Sequence, residues 1–296
     1  MSKLLGLAPG ETEDALGTAC TQASGLMSVQ YESMVKRMQH GFAARNGLFA
    51  ALMSEKGYTG IDQVFERPYG GYLATFGQGS KSQPPVLEAE LVDGLGRDWR
   101  GIGGMRVKRH NSMIATHAPV DCIAALQRKH SKRFADLKSI RQIKIEQSEA
   151  PWRHGGQDID RPTTTTGAQM STRYIAAVQL VDREVLTDQF NSSNLDRNSI
   201  WDLASKVECV WNPEFDQRGR WFTRVSITFG DGKTVVEEMV KSESMARLLP
   251  EEKIREKWRT LMSRIMDHEM MNRVEEIILN LEAVDDMTEI SRMLRV

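Results

Sequence analysis

Much is scarce in this chain, and each shortage removes a class of protein. Its 296 residues hold three cysteines, Cys20, Cys122 and Cys209. They are far apart and odd in number, which argues against a disulfide framework and against zinc or iron–sulfur spacing. Charge is balanced at −1, so no global field draws nucleic acid or an anionic membrane. No apolar run reaches the roughly 18 residues of a spanning helix. The opening residues are too short an apolar stretch for a signal peptide. There is no Gly-rich phosphate loop, HExxH, GxSxG or CxxC, which excludes the usual nucleotide, zinc-protease, serine-hydrolase and thiol-redox classes. Aromatic residues make up only 7%. The basic run Arg128–Arg133 has no interleaved aromatic platform for nucleic acid, and its cations suit the end of a helix.

What remains is a globular composition, 40% hydrophobic and 27% charged, which points to a reducing, intracellular setting. The first hundred residues read as helix. Pro9–Asp14 is a helix start with acidic residues in its first turn, and Ala15, Leu16, Ala19 and Cys20 repeat at helical spacing. A basic segment, Ser33–Gly47, runs into Leu48–Met53. Gly57–Gly60 is a stop, and Asp62–Phe65 reads as the start of a short helix. Residues 77–86 read as a flexible boundary.

The pattern then changes. Met105–Lys108 reads as a short strand. Residues 118–128 form an amphipathic helix with Val120, Ile123, Ala124 and Leu126 inward. Arg141–Ile145 alternates as a strand. Thr163–Thr166 offers N-caps for a helix carrying Met170, Tyr174, Ala177, Val178 and Val181. Val207–Trp211 is a strand, and Trp221–Phe229 meets Thr234–Met239 across a Gly-Asp-Gly hairpin. From Glu251 the chain is helical again, with Trp258, Leu261, Ile265, Ile277, Ile278 and Leu281 as its expected core. The Met-rich stretch 262–271 reads as packing or an oligomer seam. The fold class is α+β: a helical part over 1–100, a mixed part over 101–240, and returning helices over 241–296.

Two stretches carry chemistry. Lys36, Arg37, His40 and Arg45 are interspersed with Gly41, Ala43, Ala44 and Gly47. Small residues let a second backbone come close, which suits a cationic cleft for a polycarboxylate; the plainer reading is a solvated basic face. Further on, a strand end delivers Lys108 and a helix N-terminus delivers His117. The helix dipole there favours an anion and disfavours imidazolium, which keeps His117 neutral enough to act as a base. The plainer reading is a capping Thr beside an incidental His. Tyr174, on an apolar helix, reads first as core.

In order and spacing, Leu4–Leu7, Ala15–Gly17, Gln22–Gly25, Met34–Arg37, Gly41–Gly47, Lys108 with Thr116, His117 and Asp121, and Ala168–Tyr174 resemble the MmgE/PrpD family. That family includes 2-methylcitrate dehydratase and cis-aconitate decarboxylase. The Gly41–Gly47 form is similar to a branch of filamentous fungi that dehydrates alkylcitrates in secondary metabolism. The resemblance implies a large helical domain, incomplete here, and a smaller α+β lid inserted before the last helices. It implies lyase chemistry without metal or organic cofactor, a tricarboxylate substrate, a homodimer or pairing with a full-length relative, and a cytoplasmic or mitochondrial setting.

Residue by residue, the resemblance gives catalytic or ligand-binding roles to Lys36, Lys108, Tyr174 and His117. Arg37, His40 and Arg45 are expected to bind substrate beside Lys36. Dehydration of a 2-alkylcitrate is the first expectation, cis-aconitate-type decarboxylation the second, and a non-catalytic remnant or partner subunit the third. Three departures stand out. Gln39 occupies the family's His position, with His40 one place later. His110 and Asn111 replace the Tyr-Pro after the lid Lys. Met113 stands where the decarboxylase has a His.

Overall fold

The computed structural model describes residues 1–23, 25–30, 33–80, 88–99, 101, 104–246 and 248–294. Ser24, Gly103 and residues 81–86 of the expected boundary therefore lie outside the described residues. The chain divides into two compact units, Met1–Met105 and Arg106–Val296.

The first unit is helical. Helix α1 (Pro9–Cys20) starts where the acidic turn predicts it, with Pro9 at the first turn and Glu11 reaching back to accept from the Ala8 N–H at 2.7 Å. A 3₁₀ turn, Met34–Arg37, is capped by Ser33 and precedes helix α2 (Gln39–Glu55). The two helices pack through small residues. Ala15, Ala50 and Ala51 are buried, and the Ser54 hydroxyl donates to the Glu11 carbonyl at 2.6 Å. The chain after α2 crosses α1 so closely that side chains are excluded. A Cβ on Gly17 would lie 2.3 Å from the Ile61 backbone, and one on Gly60 would lie 2.0 Å from the Asp14 carbonyl oxygen.

Close approach is thus made by Gly17 and Gly60. The expected seam at Gly41 and Gly47 does not form: a Cβ at either meets nothing within 4 Å among the described residues, and Ala43 and Ala44 are exposed. The physical reason is that α2 spends its contact surface one turn later, at Ala50, Ala51 and Ser54. Asp62–Glu66 is a turn, with Gln63 at φ 51, rather than a helix.

The second unit is built on a four-stranded sheet. Its strands are β1 (Ile140–Gln147), β2 (Val207–Trp211), β3 (Thr223–Phe229) and β4 (Thr234–Met239), in the order β2-β1-β3-β4. β1 and β2 are parallel, and the other pairs are antiparallel. Ile143 and Ile145 align with Val207 and Cys209 on one side and with Ile227 and Val225 on the other, so one face carries a continuous apolar row.

Helix α3 (His117–Lys129) buries Val120, Ile123 and Leu126 in this core; Ala124 is only half-buried, and Ala125 is buried instead. The parallel crossover from β1 to β2 carries helices α4 (Glu149–Gly155), α5 (Thr165–Met170), α6 (Thr172–Asp182) and α7 (Asn198–Ala204). The expected single helix over Met170–Val181 is split at Ser171. Thr164 caps α5 by accepting from Gly167, and Ser171 caps α6 by accepting from Tyr174.

Met105–Lys108 forms no strand, because it pairs with none of the four strands of the sheet. Helices α8 (Glu251–Met262), α9 (His268–Leu279) and α10 (Thr288–Met293) follow. They cluster with the second unit, to which Arg109–Glu243 and Lys257–Lys108 contacts tie this part of the chain. Their expected core is displaced. Met271, Val274 and Ile290 are buried, while Ile265, Ile278 and Leu281 are exposed and Trp258, Leu261 and Ile277 half-buried. No helix among the described residues is long and apolar enough to cross a membrane.

Candidate functional site

The segment before α3 is irregular yet firmly held. The Asn111 N–H donates to the Val185 carbonyl at 2.9 Å, and the Met113 N–H donates to the Gln169 carbonyl at 3.0 Å. Thr116 donates its hydroxyl to the Met113 carbonyl and lies 2.7 Å from the Ser112 hydroxyl. This clamped turn feeds directly into α3, whose first turn admits Pro119 because no helical N–H is lost there.

His117 and Asp121 are one turn apart on α3 and share a face. His110, from the clamped turn, closes on both. Its Nε2 is 3.0 Å from Asp121 Oδ1, and its ring meets that of His117 edge-on, with centroids 5.0 Å apart at 74°. The second Asp121 oxygen accepts from the Glu243 N–H at 3.0 Å, and Glu243 in turn pairs with Arg109 at 2.8 Å. Burial pushes the Asp121 carboxyl up, but the bond and charge of His110, the Glu243 N–H and Arg109 together hold it below its ordinary value.

His117 is sealed, with no exposed surface. Burial, then the charges of His110 and Lys108, push it down to about 3, against opposing pulls from Asp121 and the Ser112 backbone. It is therefore a neutral imidazole across the physiological range. Lys108 donates to the Ser112 carbonyl at 3.2 Å. Lys257, from α8, donates to the Lys108 carbonyl at 2.5 Å, and burial and the Lys108 charge lower its own proton affinity.

A cleft of about 350 Å³ opens beside this cluster, with His110 and Arg109 in one wall. Arg183, Glu184, Val185 and Leu186 form a second wall, and Lys253, Glu256, Lys257 and Thr260 of α8 a third. Arg109 and Lys253 are satisfied by Glu243 and Glu256. Arg183 has no carboxylate partner among the described residues, and Lys257 is neutralised by none. Two cations are thus available to an anion in a site of small-molecule size.

The expected site residues are divided between the two units. Lys36, Arg37, His40 and Arg45 belong to the first unit. Lys36 is half-buried and the other three are exposed, with Arg45 bonded to Asn46 and lying over the Phe42 ring. Lys108, His117 and Tyr174 belong to the second unit. Tyr174 is fully buried, its ring packs edge-on against Trp201, and its hydroxyl donates to the Asn194 carbonyl at 3.3 Å. Burial pushes its hydroxyl up to about 12, and its charged surroundings are Arg197, Asp182 and Asp196.

Sequence reasoning missed His110, Arg183 and Lys257 as site residues. The His117–Asp121 spacing was the one available signal, since a carboxylate one turn after a helix-opening His presents both to the same neighbour. Among the described residues, no group of three His, Cys, Asp or Glu side chains is spaced to hold a metal ion.

Comparison with known proteins places these features. Residues 1–84 match the MmgE/PrpD N-terminal domain, and residues 110–283 match the MmgE/PrpD C-terminal domain. The structural division at Met105 falls between the two matches. The chain is 44% identical over 293 residues to the cis-aconitate decarboxylase-like protein oryM of Aspergillus oryzae, covering 98% of this chain and 61% of the relative. It is 42% identical over 299 residues to a cis-aconitate decarboxylase of Aspergillus terreus, covering 99% and 61%. The human cis-aconitate decarboxylase is 25% identical over 303 residues, covering 99% and 60%. The chain spans about three fifths of the length of these curated relatives. With both domain types matched in order, and the C-terminal match alone covering more than half of this chain, the chain belongs to the MmgE/PrpD family.

Proposed function

We propose that this chain contributes the tricarboxylate cleft of a carbon lyase, and that the reaction is decarboxylation of a cis-aconitate-type acid. The observation that carries the reading is the cleft beside His110, with Arg183 and Lys257 available to carboxylates. The identity to proteins named cis-aconitate decarboxylase supports the choice of reaction. Loss of carbon dioxide leaves an electron pair on carbon, delocalised toward a remaining carboxylate. Fixed cations in a site of low dielectric stabilise that developing charge. Arg183 and Lys257 are assigned to carboxylates, and Lys108, whose carbonyl accepts from Lys257, stands directly before the cleft wall in sequence. Lys36, with Arg37, His40 and Arg45 beside it, is the cationic segment that the first unit offers to the same kind of ligand.

Dehydration of a 2-alkylcitrate is the second reading. Met113, standing where the family pattern has the decarboxylase's His, favours it. In a third reading turnover needs a second chain, and the exposed Met34, Leu48, Phe49 and Leu52 of the first unit favour that. Product analysis separates them. The purified chain is incubated with cis-aconitate and, separately, with 2-methylcitrate, and followed by proton NMR. Carbon dioxide and a dicarboxylate from cis-aconitate support the first reading. An alkene tricarboxylate from 2-methylcitrate supports the second. Turnover that appears only when a full-length relative is added supports the third.

A further inference from the structure

We infer that His110, oriented by Asp121, is the proton-transferring residue of this cleft, and that His117 is a positioning residue behind it. The inference rests on the lyase reading above and deepens it. Access is the first argument. His110 forms part of the cleft wall, whereas His117 has no exposed surface and is absent from that wall. A ligand in the cleft borders His110 and not His117.

Orientation is the second argument. An ionised carboxylate only accepts hydrogen bonds, so Asp121 Oδ1 at 3.0 Å fixes a proton on His110 Nε2. Nδ1 is then the nitrogen left for a ligand. The other Asp121 oxygen is occupied by the Glu243 N–H, so the carboxylate cannot swing away without losing a second bond. His117 packs edge-on against the His110 ring and sets its plane. The backbone bonds of Asn111 to Val185 and of Met113 to Gln169 hold the turn immediately after it.

The step balances as follows. The bond from the methylene carbon to its carboxylate breaks, and carbon dioxide leaves. The electron pair of that bond forms a new carbon–carbon double bond. The pair of the old double bond moves to the carbon beside the distal carboxylate, which takes the Nδ1 proton of the His110 imidazolium. His110 is left neutral and regains a proton from water when the product departs. One tricarboxylate and one proton give one dicarboxylate and one carbon dioxide.

The test uses the full chain with cis-aconitate, and the variants His110→Phe and His110→Gln, the second keeping a donor toward Asp121. Circular dichroism establishes that each is folded. The expected result for both is a fall in kcat of about 10²-fold or more, the usual range for a general acid, with KM within about threefold. A readout independent of turnover is the ¹⁵N spectrum of the imidazoles as tricarballylate, a saturated tricarboxylate, is added. The His110 Nδ1 resonance is expected to move and the His117 resonances to stay. Turnover by the wild type that either folded variant retains would overturn the inference alone, as would a His110 ring indifferent to saturating tricarballylate. A wild type that neither binds tricarballylate nor turns over cis-aconitate overturns the lyase reading, and the inference falls with it.

Discussion

The ammonium of Lys257 donates to the main-chain carbonyl of Lys108 at 2.5 Å. A helix near the end of the chain thereby fixes the backbone from which Lys108 projects, 149 residues earlier. The same residue lines the cleft, so one side chain both supports the site and brings a cation to it.

Replacing Lys257 by Met removes that charge while keeping much of the aliphatic stem. Affinity for tricarballylate, measured by calorimetry, is expected to fall about 10-fold to 100-fold, as for one charge-assisted contact of about 1.5–3 kcal/mol. Unchanged affinity would remove Lys257 from the binding wall.

Tyr174 tests whether a family-implied role survives its burial. Tyr174→Phe deletes one hydroxyl bonded to the Asn194 carbonyl and is expected to cost about 1 kcal/mol in denaturant unfolding. Tyr174→Ala leaves a cavity beside Trp201 and is expected to cost about 3–5 kcal/mol. If Tyr174→Phe instead lowered kcat by 10²-fold with stability intact, Tyr174 would belong to the chemistry.

Acid stability follows from His117. Its native value of about 3 lies below the ordinary 6.5, so below about 6.5 the unfolded chain binds a proton that the native chain refuses. Stability is full above that value and declines as pH falls, by about 1.4 kcal/mol per pH unit for one such group. Asp121, also held low, adds to the loss at the acid end. His117→Gln is expected to flatten the decline between about pH 6 and 4 in thermal melts, inside the window from the ordinary 6.5 down to the native value of about 3. An identical slope in the variant would show that His117 is not buried neutral.

The thiols give a cheap check of the second unit's core. Burial pushes Cys122 up and Cys209 up to about 12; burial also raises Cys20, which is only half-buried. A disulfide reagent at pH 8 is expected to find at most one fast thiol in the native chain and all three after denaturation. Two fast native thiols would mean that α3 or β2 is open.

Elements with a strict period were legible from sequence. Val207–Trp211 forms a strand over the expected residues, and Ile143 and Ile145 point inward as their alternation demands. The helix start at Pro9 was equally plain, because capping chemistry is local. What failed depended on distant partners. Met105–Lys108 has strand-like residues but no edge to pair with. Gly41 and Gly47 have the composition of a seam, but the seam is made by Gly17 and Gly60, which only the crossing of the chain over α1 reveals. The site was half legible for the same reason. Arg109 and His110 stand just before a helix start that sequence shows, whereas Arg183 and Lys257 reach the same cleft only through tertiary packing.

The most direct measurement of the central claim is a ¹H–¹⁵N correlation titration of the full chain with cis-aconitate. The expected result is saturable shifts concentrated at Arg109, His110, residues 183–186 and residues 249–260, the walls of the cleft. Shifts confined to the Lys36–Arg45 segment, or none at millimolar ligand, would contradict the assignment of this cleft as the tricarboxylate site.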